Sequence, residues 1–201
     1  MALYLTIALY VACDLIANIT AFKPLAIGEI VVPGGVFIYA LTFTLIDLIN
    51  EQLGREGARK VVFSAFAANA LLALYSAFII TVPSPAFFTG QEAITTVLGS
   101  TPRIVGASLA AFLISSLLDV EIFAQWKARV AGHKWARVLL SNGISTGVDS
   151  VVFVCVAFWG VYPVVPLMAG QYVVKMGVTV LSLPLIYAGG RGMKKLSRGT
   201  D

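Results

Sequence analysis

The sequence predicts an all-α integral membrane protein with six transmembrane helices, and three observations support this. Of its 201 residues, 59% are hydrophobic and only 12% are charged, whereas soluble domains are about 45–50% apolar and about 25% charged. The mean hydropathy is +0.91. The apolar residues gather in runs of roughly 20 residues, the length that an α-helix needs to cross a bilayer.

Six apolar runs define the spans, and turn residues separate them. In chain order they are Leu3–Phe22, Val36–Asn50, Val61–Val82, Ile104–Ala124, Val138–Gly160 and Pro163–Ala188. Lys23 and Pro24 end the first span, and a short extended or loop stretch then leads to the break signal Pro33-Gly34-Gly35. The second span is short for a bilayer of about 30 Å, so its ends are expected to add length. Pro166 and Pro184 predict bends or frayed ends in the last span.

Basic residues predict the orientation. Eleven of the fourteen lysines and arginines lie in segments 51–60 and 125–137 and in the tail, which the positive-inside rule places in the cytoplasm together with both termini. We therefore expect one membrane domain over residues 1–190 and a basic cytoplasmic tail over 191–201. Because the net charge of +4 comes from these short loops, it does not indicate a nucleic-acid partner.

Sequence motifs for enzymatic chemistry are absent. The chain contains no Walker A loop, GxGxxG, HExxH or GxSxG pattern. Its single histidine, His133, lies in a basic segment, and Cys13 and Cys155 lie inside apolar spans. Neither a metal site nor a cofactor is expected, and a membrane-embedded enzyme would need a catalytic constellation that the sequence does not offer.

Two opposite charges are predicted at similar depth in the last two spans. Asp149 lies midway along span five and Lys175 midway along span six, about equally far from the tight turn near Gly160–Pro163. On neighbouring antiparallel helices they are positioned to form an ion pair, which lowers the burial cost of both charges. Such a pair either locks the two helices together or separates when a substrate or proton arrives, and the sequence leaves both alternatives open.

Further polar residues inside the spans indicate a path for a polar substrate or an ion. Their spacings of three and four place them on common helix faces, and acids inside a membrane are costly unless they have a role. Asn142 and Ser145 share a face with Asp149. The other candidates are Asp14 and Asn18 on span one, Asp47 and Glu51 at the inner end of span two, and Asp119 near the inner end of span four.

The charged segment after span two is expected to form a polar turn. In GREGARK, residues 54–60, Gly54 and Gly57 permit a helix stop and a tight turn. The segment is either a solvated loop of mutually paired charges or a gate at the cytoplasmic mouth.

Similar short strings in the two halves of the chain indicate an inverted repeat. DLIANITAFK in span one resembles DVEIFAQWK in span four, and TLID in span two resembles TGVD in span five. Spans one to three would then be related to spans four to six, unless these strings recur by chance.

The segments DLIANITAFK, FIYALTFTLIDLINEQLGREGARKVV and DVEIFAQWK…KWARVLLSNGISTGVDSVVF resemble the queuosine precursor transporters, also called vitamin-uptake-type proteins. The resemblance covers nearly the whole chain. It implies a six-span inner-membrane importer of the 7-deazaguanine bases preQ0 and preQ1 that uses no cofactor. The matching polar positions are Asn18, Lys23, Asp47, Glu51, Arg59, Asp119, Asn142, Ser145 and Asp149; the tail after Gly190 matches no motif of the family.

A 7-deazaguanine base has an N1–H and an exocyclic amine on one edge, with O6 beside them. Asp149 can accept both donors, and Asn142 or Lys175 can donate to O6. Aromatic side chains suited to the flat ring are Phe37, Tyr39, Phe43, Phe153 and Tyr172. The alternative is a substrate-binding subunit of an energy-coupling vitamin importer, which would meet a partner through small residues such as Ala8 and Ala12. A homodimer in the lipid bilayer is also left open.

Overall fold

The chain is described by a computed structural model over residues 2–129, 134–178 and 180. The side chains at 2, 47, 51, 55, 116, 117, 119–129 and 134–142 lie outside this description. The helices are α1 (Ala2–Thr20), α2 (Val36–Thr81), α3 (Gln91–Leu98), α4 (Thr101–Arg129), α5 (Lys134–Phe158) and α6 (Val164–Val178). Strands β1 (Pro24–Ile27) and β2 (Ile30–Pro33) form a hairpin between α1 and α2.

The prediction of a helical, multi-pass membrane protein is confirmed. In the described part of the chain, three helical segments are long and apolar enough to cross a bilayer: Leu3–Thr20, Glu56–Thr81 and Gln91–Ser115. Three shorter apolar helices are Val36–Asn50, Gly143–Phe158 and Val164–Val178. Each predicted span overlaps one of these six segments. Large apolar side chains such as Leu71 and Leu74, 68% and 71% exposed, form an outer surface that suits lipid rather than water.

The break predicted at Gly54 is confirmed, whereas the charged residues on either side of it are helical and do not form a loop. Helix α2, Val36–Thr81, consists of two helices that meet at a kink at Gly54, which is non-helical with φ 68° and ψ 178°. Glycine has no Cβ, so it adopts this backbone conformation without the steric cost that other residues incur. The following arginine, glutamate, alanine and lysine residues are good helix formers. The helix therefore resumes at once, and Gly57 lies within it.

The predicted extended stretch is confirmed as an antiparallel hairpin. Its strands pair Pro24 with Pro33 and Ile27 with Ile30, and Gly28 in the turn has φ 58°. The hairpin packs against α6 so closely that a Cβ at Gly170 would lie 2.0 Å from the carbonyl oxygen of Val31. The hairpin is therefore a fixed wall beside α6 rather than a solvated loop.

Glycine also permits the close approach of α2 to α1. A Cβ at Gly35, the residue before α2, would lie 2.1 Å from the carbonyl oxygen of Ala17. This contact brings the first turns of α2 against the C-terminal half of α1. It thereby positions Tyr39, one turn into α2, near the helices that follow.

Two apolar clusters hold the bundle on either side of a polar centre. The first joins α1, α4, α5 and α6 and contains Ala21, Ile104, Ala107, Val154, Ala157, Phe158 and Leu167. The second joins α1 to both halves of α2 and contains Tyr10, Ile49, Ala58, Val61 and Ala65. At the end of α5, Arg103 donates from Nε to the Val156 carbonyl and from Nη2 to the Trp159 carbonyl, both at 2.7 Å, and so fixes α4 to α5.

The long connection Pro83–Arg103 contains α3, which has no buried residue, and Phe87 within the connection is 87% exposed. Pro166 lies in the first turn of α6, where a missing N–H removes no helical hydrogen bond. Pro184, His133 and the predicted tail 191–201 lie outside the described residues.

Candidate functional site

A cavity lies at the polar centre of the bundle, where five helices and the hairpin meet. It occupies a space of about 400 Å³, which includes an opening to solvent. The residues that line it are Ala17, Asn18, Ala21, Pro33, Gly35, Val36, Tyr39, Ser108, Ala111, Asp149, Phe153, Gln171 and Lys175. Small residues of α1 and α4 provide the room, and polar side chains converge from α1, α2, α4, α5 and α6.

The predicted Asp149–Lys175 ion pair is present in the wall of this cavity. Nζ of Lys175 on α6 donates to Oδ2 of Asp149 on α5, and the two side chains are 8% and 16% exposed. Their equal distance from the connecting turn brings them to the same level, because both segments are helical and antiparallel. The pair places a hydrogen-bond acceptor and a cation side by side at the edge of the cavity.

Tyr39 brings the start of α2 to this pair. The Lys175 ammonium group lies 5.0 Å from the centroid of the Tyr39 ring, within the range of a cation–π contact. Phe43, one turn further along α2, packs against Tyr39 edge to face with ring centroids 5.5 Å apart. Tyr39 therefore lines the cavity, and Phe43 supports its ring from behind.

Gln171 is a polar lining residue that the sequence did not single out. Its side chain is 3% exposed, and among the described residues its Oε1 has no hydrogen-bond partner. It precedes Lys175 by four residues, so the two share one face of α6. This spacing was the available signal, since a glutamine one turn from a buried lysine also belongs to the polar face. Ser108 on α4 was missed for lack of any comparable pattern.

Phe153 forms an apolar part of the wall. It is half-buried, lies one turn after Asp149 on α5, and packs edge to face against the buried ring of Phe158 at 5.8 Å between centroids. An aromatic ring close to the ion pair offers a flat ligand an apolar surface beside polar groups.

Asn18 connects the cavity to a buried polar chain between α1 and α2. Its Nδ2 donates to Oδ1 of Asn69 at 2.7 Å, and Nδ2 of Asn69 donates to Oδ2 of Asp14 at 2.7 Å and to the Ala65 carbonyl at 3.0 Å. Asn18 lines the cavity, whereas Asp14 and Asn69 lie behind it. Asn69 was missed because it stands alone in an apolar stretch of the sequence.

The other predicted site residues are placed as follows. Ser145 is buried one turn before Asp149 but is not among the lining residues. Phe37 and Tyr172 are 44% and 38% exposed and do not line the cavity. The backbones of Asp47, Glu51, Asp119 and Asn142 lie in α2, α4 and α5, and their side chains lie outside the described part of the structure. In that described part, no group of three or more histidine, cysteine, aspartate or glutamate residues is placed to hold a metal ion.

Comparison with known proteins agrees with this architecture. A family model described as "Putative vitamin uptake transporter" matches residues 33–189. A Bacillus subtilis (strain 168) protein named "Probable queuosine precursor transporter" is 28% identical over 193 residues, covering 94% of this chain and 83% of its own length.

A Haemophilus influenzae protein of the same name is 30% identical over 126 residues, covering 62% of this chain and 51% of its own length. No solved structure matches the chain significantly. Since the family model spans most of the sequence and includes every cavity-lining residue from Pro33 onward, the chain belongs to the queuosine precursor transporter family, a family of membrane transporters rather than enzymes.

Proposed function

We propose that this protein imports queuosine precursors, the 7-deazaguanine bases preQ0 and preQ1, through the bilayer by secondary transport or facilitation. The observation that carries the proposal is the Asp149–Lys175 pair beside the unpartnered Oε1 of Gln171 in a cavity of about 400 Å³. The names of the Bacillus subtilis and Haemophilus influenzae relatives support the same class of substrate.

The polar groups of the cavity complement the hydrogen-bonding edge of such a base. The Asp149 carboxylate can accept the N1–H and the exocyclic amine side by side, and the Lys175 ammonium group can donate to O6. Gln171 Oε1 can accept a further N–H. When the base binds, Asp149 and Lys175 each give up part of the contact between them and bind the base instead. Both charges therefore stay compensated throughout.

The apolar wall suits the flat faces of the ring. Phe153 supplies an aromatic surface near Asp149, and the ring of Tyr39 lies 5.0 Å from the Lys175 ammonium group. A planar base between them would bury its faces while its polar edge meets α5 and α6.

The wider transport path follows from the remaining polar positions. In this proposal six spans cross the cytoplasmic (inner) membrane with both termini inside, as the basic segments indicate. By their positions in the sequence, we expect Asp47, Glu51, Asp119 and Asn142 to contribute to a polar route toward the cytoplasmic mouth. The two halves of the chain are related as an inverted repeat, and the cavity lies where they meet.

Uptake by the purified chain tests this function. The protein, reconstituted alone in liposomes, is expected to exchange radiolabelled preQ0 and preQ1 against unlabelled base, and Asp149→Ala is expected to abolish exchange. Adenine and guanosine, which lack the matching edge or size, serve as control solutes. Unchanged exchange by Asp149→Ala would reject the site. A strict requirement for added partner subunits and ATP would instead identify a subunit of an energy-coupling importer.

A further inference from the structure

A second buried acid lies outside the proposed substrate contacts. Asp14 on α1 is 8% exposed, and it accepts a hydrogen bond from Asn69 on α2, which is 1% exposed. Asn69 in turn accepts from Asn18, which is 5% exposed and lines the cavity. We propose that Asp14 is the proton-binding site of this transporter, and that the chain Asp14–Asn69–Asn18 couples its protonation to substrate binding. This inference rests on the proposed function.

The carboxylate has little to compensate a negative charge. Among the described residues, the salt bridge found joins Lys175 to Asp149, and Asp14 forms none. In that part of the chain, Asp14 accepts one amide N–H, from Asn69. Buried acids inside spans serve as proton relays in pumps and transporters.

The direction of the hydrogen bonds depends on whether Asp14 carries a proton. With the carboxylate ionised, every amide in the chain donates toward Asp14, and the Oδ1 of Asn18 has no partner among the described residues. A protonated carboxyl group keeps one acceptor oxygen and gains an O–H donor, so it can instead donate to Oδ1 of Asn69 once Asn69 has turned its Nδ2 toward Asn18. Asn18 then turns as well and offers an N–H to the cavity.

The two directions are not equivalent. Nδ2 of Asn69 also donates to the Ala65 carbonyl at 3.0 Å, a bond that favours the direction seen with an ionised carboxylate. Reversal therefore requires the proton. The reversed chain presents a donor that can bind O6 of a base, so base and proton stabilise the same state, and each raises the affinity for the other by the same factor. This is the linkage that proton symport needs.

The charges around Asp14 are few in the described part of the chain. Tyr10 on α1 and Tyr39 on α2 interact electrostatically with it. From α4, the titratable side chain described is Arg103, which is committed to two carbonyls of α5. Asp149 and Lys175 face the cavity from α5 and α6. The side chain of Asp47 on α2 lies outside the description.

Proteoliposomes separate coupling from transport. With an acidic exterior, the wild-type protein is expected to accumulate labelled preQ0 several-fold above equilibrium, and a protonophore should abolish the accumulation. Asp14→Asn cannot titrate, yet it can donate to Asn69 as a protonated acid does. It is expected to retain base exchange while its accumulation ratio falls to one. Gly106→Ala, on an open part of α4, is the control that keeps both properties.

Three results would overturn the inference. They are pH-driven accumulation by Asp14→Asn equal to that of the wild type, wild-type exchange without any pH-driven accumulation, and accumulation driven by a sodium gradient alone. Failure of the wild-type protein to exchange base at all would instead reject the proposed function. If Asp14→Asn does not fold, proton uptake on preQ0 binding to the wild-type protein in weakly buffered detergent decides the matter. Uptake supports the inference, and its absence rejects it.

Discussion

Lys175 and Asp149 form a salt bridge between α6 and α5 in the wall of the central cavity. Both side chains are largely buried, and the pair lies within reach of Gln171 and the ring of Tyr39. A buried pair that faces packed side chains only fastens two helices. This pair also borders the cavity, whose lining includes the polar side chains of Asn18, Tyr39 and Gln171.

Single and double substitutions of the pair separate binding from stability. Asp149→Asn should reduce the affinity for preQ0 by about ten- to a hundredfold, since a hydrogen bond to a charged group contributes about 1.5–3 kcal/mol. Lys175→Met leaves a buried carboxylate unpaired, which costs about 3–5 kcal/mol of stability. The double variant should regain most of the stability but not the binding. Binding is measured by ligand titration and stability by thermal unfolding in detergent. Normal binding by the double variant would assign the pair a purely structural role.

Gln171→Leu should weaken base binding about tenfold without loss of stability. The Oε1 of Gln171 is buried without a partner among the described residues, a situation that costs about 1–3 kcal/mol. Removal of the amide relieves this cost and also removes a contact to the substrate.

Ser150→Ala is the matched control for Gln171. The Ser150 hydroxyl is likewise buried without a described partner, but it does not line the cavity. Its removal should leave uptake unchanged and stability equal or higher. Equal uptake by the Gln171 and Ser150 variants would exclude Gln171 from the binding site.

Gly35→Ala should destabilise the protein and reduce uptake. The added Cβ would lie 2.1 Å from the carbonyl oxygen of Ala17, so α2 must move away from α1 and carry Tyr39 with it. Gly106→Ala is the control, because its Cβ meets nothing within 4 Å and alanine favours a helix by about 1 kcal/mol. Melting temperatures and folded yields from size-exclusion chromatography should fall for the first variant only. A fall in both would point to a general intolerance of added methyl groups.

Gly54→Ala should cost about 1–3 kcal/mol, since φ 68° with ψ 178° is a conformation that essentially only glycine adopts. Gly177→Ala on α6 is the control, because its Cβ also meets nothing within 4 Å and its backbone is helical. Thermal unfolding of both variants in the same detergent compares them. If Gly54→Ala were as stable as the wild type, the break in α2 would not depend on glycine at this position.

The ion pair was predictable because it depends on the distance of each residue from the connecting turn, counted along the chain. A tight turn and two helices of regular rise place residues equally far from the turn at equal depth, so counting along the chain was sufficient for Asp149 and Lys175. The same counting on α6 marks Gln171. Counting along the chain does not predict the contacts of Asn69, because its partners Asp14 and Asn18 are 55 and 51 residues away.

The structure of the charged segment after Asn50 was predictable only in part. Glycine and charge are typical of turns, and they correctly predicted the break at Gly54. The residues around Gly54 are also good helix formers, so they are helical up to the break. Local composition did not indicate that both halves of α2 pack against Tyr10 of α1.

By itself, the amino-acid sequence determined the class of protein, the positions of the apolar helices and the family, because hydrophobicity and long matching segments are properties of the chain in one dimension. Apart from the Asp149–Lys175 pair, only the tertiary structure decided which polar residues meet, as Asn69 meets Asp14 and Asn18. Two close approaches at glycine, Gly35 on Ala17 and Gly170 on Val31, bring α1, α2 and α6 near enough to enclose the cavity. Such contacts depend on how backbones pack in three dimensions, which neither periodicity nor composition records.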